Sequence, residues 1–130
     1  MSKMTTEREA IKAALNSAEI STVLFNKDEI PKSLPAAIVT LEAETGKNGT
    51  SRQYVNTYLA WSVYLIVNAQ GVADPDGYLY TLKEGFRKYY IAGMGRDFPQ
   101  IEYYTGRIDG ARLVRIAKIS LLRSGTGAGS

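Results

Sequence analysis

"EAETGKNGTSRQYVNTYLAWSVYLIV", residues 42–67, decides how the rest of the chain is arranged. Nothing from Gln53 to Val67 breaks an extended backbone, and the side chains alternate. Val55, Thr57, Leu59, Trp61, Val63, Leu65 and Val67 share one face; Tyr54, Asn56, Tyr58, Ala60, Ser62, Tyr64 and Ile66 share the other. The first set reads as a core face. The second is amphipathic, as in an antiparallel sheet with one wet side. At about 3.3 Å per residue this strand spans on the order of 50 Å. A compact chain of this length is only roughly 35–40 Å across. One end of the strand therefore overhangs, and the overhang needs something to rest on.

Upstream, "AAIVTLEAE" (residues 36–44) is the strand that completes the hairpin. Ile38, Thr40 and Glu42 fall on one face, and Ala37, Val39, Leu41 and Ala43 on the other. "TGKNGTS" between the strands reads as a flexible polar connection, mobile in the free subunit. "VLFN" at 23–26 is a short extended piece, and "KDEIPKSLP" is a loop, since Pro31 and Pro35 disfavour helix around them. The chain opens with a helix. Thr6-x-x-Glu9 has the form of a capping box, and Ala10, Ile11, Ala14, Leu15 and Ala18 form an alanine-rich stripe that can lie close to a sheet.

Downstream, Asp74 is a natural N-cap and Pro75 a natural first helical residue. Leu79, Leu82, Phe86 and Tyr89 or Tyr90 follow at helical spacing, with Gly93 placed as the residue just past the helix end. "QIEYYTGRIDGARLVRIAKISLL" is a second hairpin turning at Asp109-Gly110. Its apolar phase changes between Val114, Ile116 and Ile119, Leu121, from a bulge near Ala117 or from burial on both faces. The whole is one α+β domain over residues 1–122, in the order α-β-β-β-α-β-β: two helices packed on an antiparallel or mixed sheet with a long β-hairpin arm. Residues 123–130, "RSGTGAGS", form a flexible tail.

Composition narrows the function classes. The chain has 130 residues, the size of one domain, and no run of about 18 apolar residues to span a membrane. Its charged, amphipathic start is unlike a secretory signal, so a cytosolic site of synthesis and action is expected. Cysteine is absent, which removes disulfides, thiolate metal sites and a cysteine nucleophile. Histidine is absent too, and with it the commonest general base and neutral metal ligand. Asp74-Pro75-Asp76 is explained by helix capping without a metal. "GKNGT" lacks the upstream glycine and Lys-Ser/Thr pair of a phosphate loop and joins two strands. No pair of acids is placed for catalysis, so no enzyme and no cofactor is expected.

Two features remain. Tyrosine is abundant, 9 residues, and Tyr54, Tyr58, Tyr64, Tyr89, Tyr90 and Tyr103 lie near these elements, as on half-exposed contact surfaces. Net charge is +3, but residues 107–123 hold Arg107, Arg112, Arg115, Lys118 and Arg123 against Asp109 alone. Beside Tyr103 and Tyr104 these cations could meet phosphates and bases. Alternatively they sit on a strand's wet face or pair with acids of a neighbouring subunit.

Taken in order, the alanine-rich helix, "IPKSLPAAIVTLEAE", the polar loop and long strand, the "DPDGYLYTLKEGFRKYY" helix and the hairpin ending "ARLVRIAKISL" resemble the tail-terminator proteins of long-tailed bacteriophages. These are the lambda U-like superfamily and related small neck and tail-completion proteins. The resemblance runs over residues 6–122. The "LPAAIV" strand and the helix start at Asp74 and Asp76 are its most family-like pieces. It implies a non-enzymatic virion protein that assembles in the host cytoplasm as a ring, expected to be a hexamer. The ring caps the tail tube and meets the head-completion or stopper protein. Genomic DNA passes through its channel without sequence-specific binding, and no membrane is involved. The arm, with Lys47, Asn48, Arg52, Tyr54 and Tyr58, would contact a neighbouring subunit or the tube. Arg112, Arg115 and Lys118 would form a basic interface strand. Another neck ring, a stopper or adaptor, or a small basic DNA-associated phage module is the alternative.

Overall fold

The alternation of the long strand sets the two sides of a single sheet. A computed structural model describes the backbone of residues 3–50, 53–94 and 100–123, and the side-chain surroundings of 4–44, 59–92 and 100–121. The elements are α1 (Lys3–Ser17), β1 (Thr22–Leu24), β2 (Ala36–Thr50), β3 (Gln53–Asn68), α2 (Pro75–Met94), β4 (Gln100–Ile108) and β5 (Arg112–Arg123). The strands form one mixed sheet in the order β1-β2-β3-β5-β4, with β1 parallel to β2 and every other pair antiparallel. Both helices pack on one face, giving the expected α+β fold.

Leu59, Trp61, Val63, Leu65 and Val67 of β3 meet Ile11, Ala14 and Leu15 of α1 and Leu79, Leu82, Phe86 and Tyr90 of α2 in the main core. Each large side chain buried there contributes roughly 1.5–3 kcal/mol. Tyr90 is 1% exposed, so it is a core residue and offers no contact surface, while Tyr89 next to it is exposed. The helix begins at Lys3, ahead of the Thr6 expected to cap it. Nothing in that first turn breaks a helix, and Met4 packs against the core, so packing extends the element past the polar signal. Likewise α2 runs through Gly93 to Met94.

The start of α2 follows the sequence. The Asp74 Oδ1 accepts from the Gly77 amide at 3.0 Å, and a Cβ added at Gly77 would collide with that carboxylate. Asp74→Ala should cost about 1 kcal/mol of stability, measured by urea denaturation. At the second hairpin, Asp109 and Gly110 have φ of 58° and 73°, the left-handed values that a type I′ turn requires. The Ala111 amide donates to the Ile108 carbonyl at 3.2 Å.

β5 keeps unbroken register with both neighbours, so Ala117 carries no bulge. The shift in apolar phase is burial on both faces. Ala117, Ile119 and Leu121 join the helix-side core, while Val114 joins Ile38 and Ile66 in a second cluster on the opposite face. The irregularities lie in the β2–β3 ladder, between Leu41 and Ala43 and on either side of Asn48; the first bears on the body of the sheet. It places Ala43 opposite Ala60, on the open face, away from the Ala37, Val39 and Leu41 set to which simple alternation assigns it.

Candidate assembly surfaces

The first surface is the overhang itself. β2 does not stop at Glu44. Its ladder with β3 continues through Thr45↔Tyr58 and Lys47↔Asn56 to Thr50↔Gln53. The stretch read as a flexible connection is therefore strand as far as Thr50: β3 pairs with Thr45, Gly46, Lys47, Asn48 and Thr50 despite a loop-like composition, with register shifts on either side of Asn48. β3 pairs with β5 only from Leu59, opposite Arg123. Beyond that level, among the described residues, β2 and β3 pair only with each other, over on the order of 20 Å. Lys47, Asn48, Tyr54 and Tyr58 all lie on the arm's backbone, whereas Arg52 lies outside the described residues. So do residues 124–130 of the expected tail, whose first expected residue, Arg123, belongs to β5.

The second surface is the sheet face turned away from the helices. A shallow depression of about 330 Å³ is lined there by Ile38, Tyr64, Ile66, Tyr104, Ile108 and Ile116 with Lys27. Lys27 and Lys118 sit 5.7 Å and 5.9 Å from the Tyr64 ring centre, one on each neighbouring strand or loop. Burial is the main reason the Tyr104 phenol titrates above its ordinary value. At the β2 irregularity, Glu42 accepts from Thr40 Oγ1 at 2.6 Å and pairs with Lys27 at 3.4 Å. The Thr40 hydroxyl first, and Lys27 after it, hold the Glu42 carboxyl below its ordinary 4.5. A lowered carboxylate pKa stabilises the fold above pH 4.5, and that contribution is lost as pH falls through the lower, folded value. Thr40→Val should return the Glu42 titration toward its ordinary value, followed by carboxyl NMR.

The third surface is the helix-side flank of the β4–β5 hairpin. Arg115 Nε donates to Asp76 Oδ1 at 2.7 Å and its Nη1 to Thr105 Oγ1 at 3.1 Å. Tyr80 and Tyr103 stand beside this pair around a depression of about 240 Å³. Behind Tyr80, the buried Lys83 places its Nζ 3.8 Å from the ring centre and pairs with Glu84, which also pairs with Arg87 at 3.1 Å.

These positions divide the expected basic strand. Strand alternation turns Arg115 to the helix side, where Asp76 of the same chain partners it. Lys118 faces Tyr64 on the open side, and Arg112 is exposed at the hairpin tip. The three cations do not form one basic surface. Tyr103 and Tyr104 part in the same way, one to each face. The Asp76–Arg115 pair joins residues 39 apart in sequence, and no sequence pattern marks it. The same holds for Glu7, a buried acid whose Oε1 accepts from Trp61 Nε1 at 3.0 Å.

Among the described residues, no three His, Cys, Asp or Glu side chains are grouped to hold a metal ion, and no helix is long and apolar enough to cross a membrane. In comparisons with known proteins, no family model and no curated protein matches the chain.

Proposed function

We propose that this chain is a structural subunit of a ring that ends a bacteriophage tail tube, a tail-terminator or tail-completion protein acting in the virion after assembly in the host cytoplasm. The observation that carries the reading is the two-stranded arm continuing past the last described pairing of β3 with β5. Two-stranded ribbons are marginally stable alone in water, and exposed strand edges invite pairing with another chain. A neighbouring subunit or the tube supplies that support. The division of Arg112, Arg115 and Lys118 between two faces weighs against a single nucleic-acid-binding surface and suits a channel through which DNA slides.

Light scattering on the purified chain tests the assembly. Six chains of 14.3 kDa make a particle of about 86 kDa, closed by cyclic symmetry. Adding that particle to polymerising tail-tube protein tests the role: tubes should stop growing and carry the ring at one end. A chain that stays monomeric at all concentrations and leaves tube length unchanged overturns the reading. A ring that ignores the tube but binds a head-side protein makes it a stopper or adaptor of the neck.

A further inference from the structure

Among the described residues, the sheet has unpaired backbone at both margins. β4 forms one of them. Its nine residues, "QIEYYTGRI", pair with β5 without a register break and contain no lysine or proline. Apart from the turn bond at Ile108, no described backbone hydrogen bond outside that ladder reaches them. Natural sheets blunt such an edge with charged side chains, lysine above all, or with proline, a bulge or a covering element; β4 carries Glu102 and Arg107 but, among the described residues, no lysine, proline, bulge or covering strand. At the other margin, β1 covers only Ala36, Ala37 and Ile38 of β2. From Val39 onward no described backbone bond reaches the outer edge of β2.

The strand directions make these edges complementary. β2, β3, β5 and β4 alternate in direction, so β4 runs opposite to β2. A second copy set alongside in the same orientation brings its β2 antiparallel to β4. We infer that β4 of one subunit pairs with the free stretch of β2, from Val39 onward, in a second copy of this chain, continuing the sheet across the contact. The inference rests on the ring-subunit reading and names the edges that join. A twofold β4-to-β4 contact is also antiparallel, but it leaves the β2 stretch of both copies open. Head-to-tail addition satisfies both edges of every subunit and can close into a ring.

The ladders also fix a stagger. Through Ser120 and Ser62, Gln100 lies level with Thr40. Level pairing would thus run the rest of β4 into the neighbour's β1. Clearing β1 takes a slide of about seven residues along the strands, on the order of 25 Å. A regular stagger of this kind accompanies the tilted strands of a closed sheet. Tyr103 and Tyr104, 42% and 39% exposed on opposite faces of β4, would then each lie over the joint, where aromatic side chains reach cross-strand neighbours.

Amide hydrogen exchange on the free subunit and on the assembled particle, sized by light scattering, tests this. Amides of β4 and of residues 39–44 that exchange quickly in the free subunit should slow by about tenfold or more in the particle. If a particle forms and β4 exchanges as fast in it as in the free chain, the edge pairing is wrong and the ring reading stands. If no particle forms at any concentration, both fail. A Tyr103→Lys/Tyr104→Lys variant, checked for folding by circular dichroism, should need about tenfold or more protein to assemble, because lysines on an edge strand oppose pairing. Assembly of the folded variant at the wild-type concentration would also overturn the inference.

Discussion

Trp61→Ala should destabilise the subunit by about 3–5 kcal/mol, read from chemical denaturation. Trp61 is 2% exposed and stands in the main core between the sheet and both helices. Truncation removes the indole and leaves a cavity in a core whose other large members are themselves buried, Phe86 and Tyr90 packed ring to ring at 5.7 Å among them. It also strands Glu7, a buried carboxylate 6% exposed whose Oε1 accepts the indole N–H. Of the total, roughly 1–3 kcal/mol comes from leaving that buried group unsatisfied. Trp61→Phe separates the two terms, since it keeps most of the ring volume and loses the hydrogen bond. A loss under about 1 kcal/mol for Trp61→Ala would contradict the face assignment of β3.

Removing the arm should abolish assembly and spare the fold. Residues 46–57 can be replaced by a two-residue Asn-Gly turn, because Thr45 and Tyr58 are paired partners and already hold the strands at hairpin distance. Every residue of the described cores lies outside the excised stretch. The melting temperature of the shortened chain should stay within a few degrees of the parent, while light scattering should show a single chain. A shortened protein that still forms the full-size particle would remove the arm from the contact.

The fold was legible wherever one residue type answers one local demand. From Leu59 to Val67 the alternation of β3 named the helix-side core, since successive strand side chains point to opposite sides; Val55 and Thr57 lie outside the described side chains, and Ser62 and Ile66 on the other face are buried as well. Asp74-Pro75 opened α2, and Asp109-Gly110 turned the second hairpin, because each supplies a backbone geometry that few residues adopt cheaply. The arm was half legible. The length of β3 announced an overhang, but "TGKNGTS" looked like loop, since glycine, asparagine and threonine carry weak strand preference and pairing with β3 overrides it. The basic strand misled for a related reason. Arg112, Arg115 and Lys118 are close in sequence, yet the two-residue period of an unbulged strand sends Arg115 to the side opposite the others, and the suspected bulge at Ala117 hid that parity.

By itself the sequence determined the order of elements, which face of β3 and which stripe of each helix are buried, and that the arm outruns the body. These follow from local periodicity and chain length. Only the tertiary structure decided that Arg115 meets Asp76, that Glu7 receives the Trp61 indole, that β2 shifts phase at Glu42, and that no other described strand pairs with the outer edge of β4 or with β2 beyond Ile38. Those depend on which distant segments lie side by side, and the free energy that places them is spread over the whole core, where no short stretch of sequence records it.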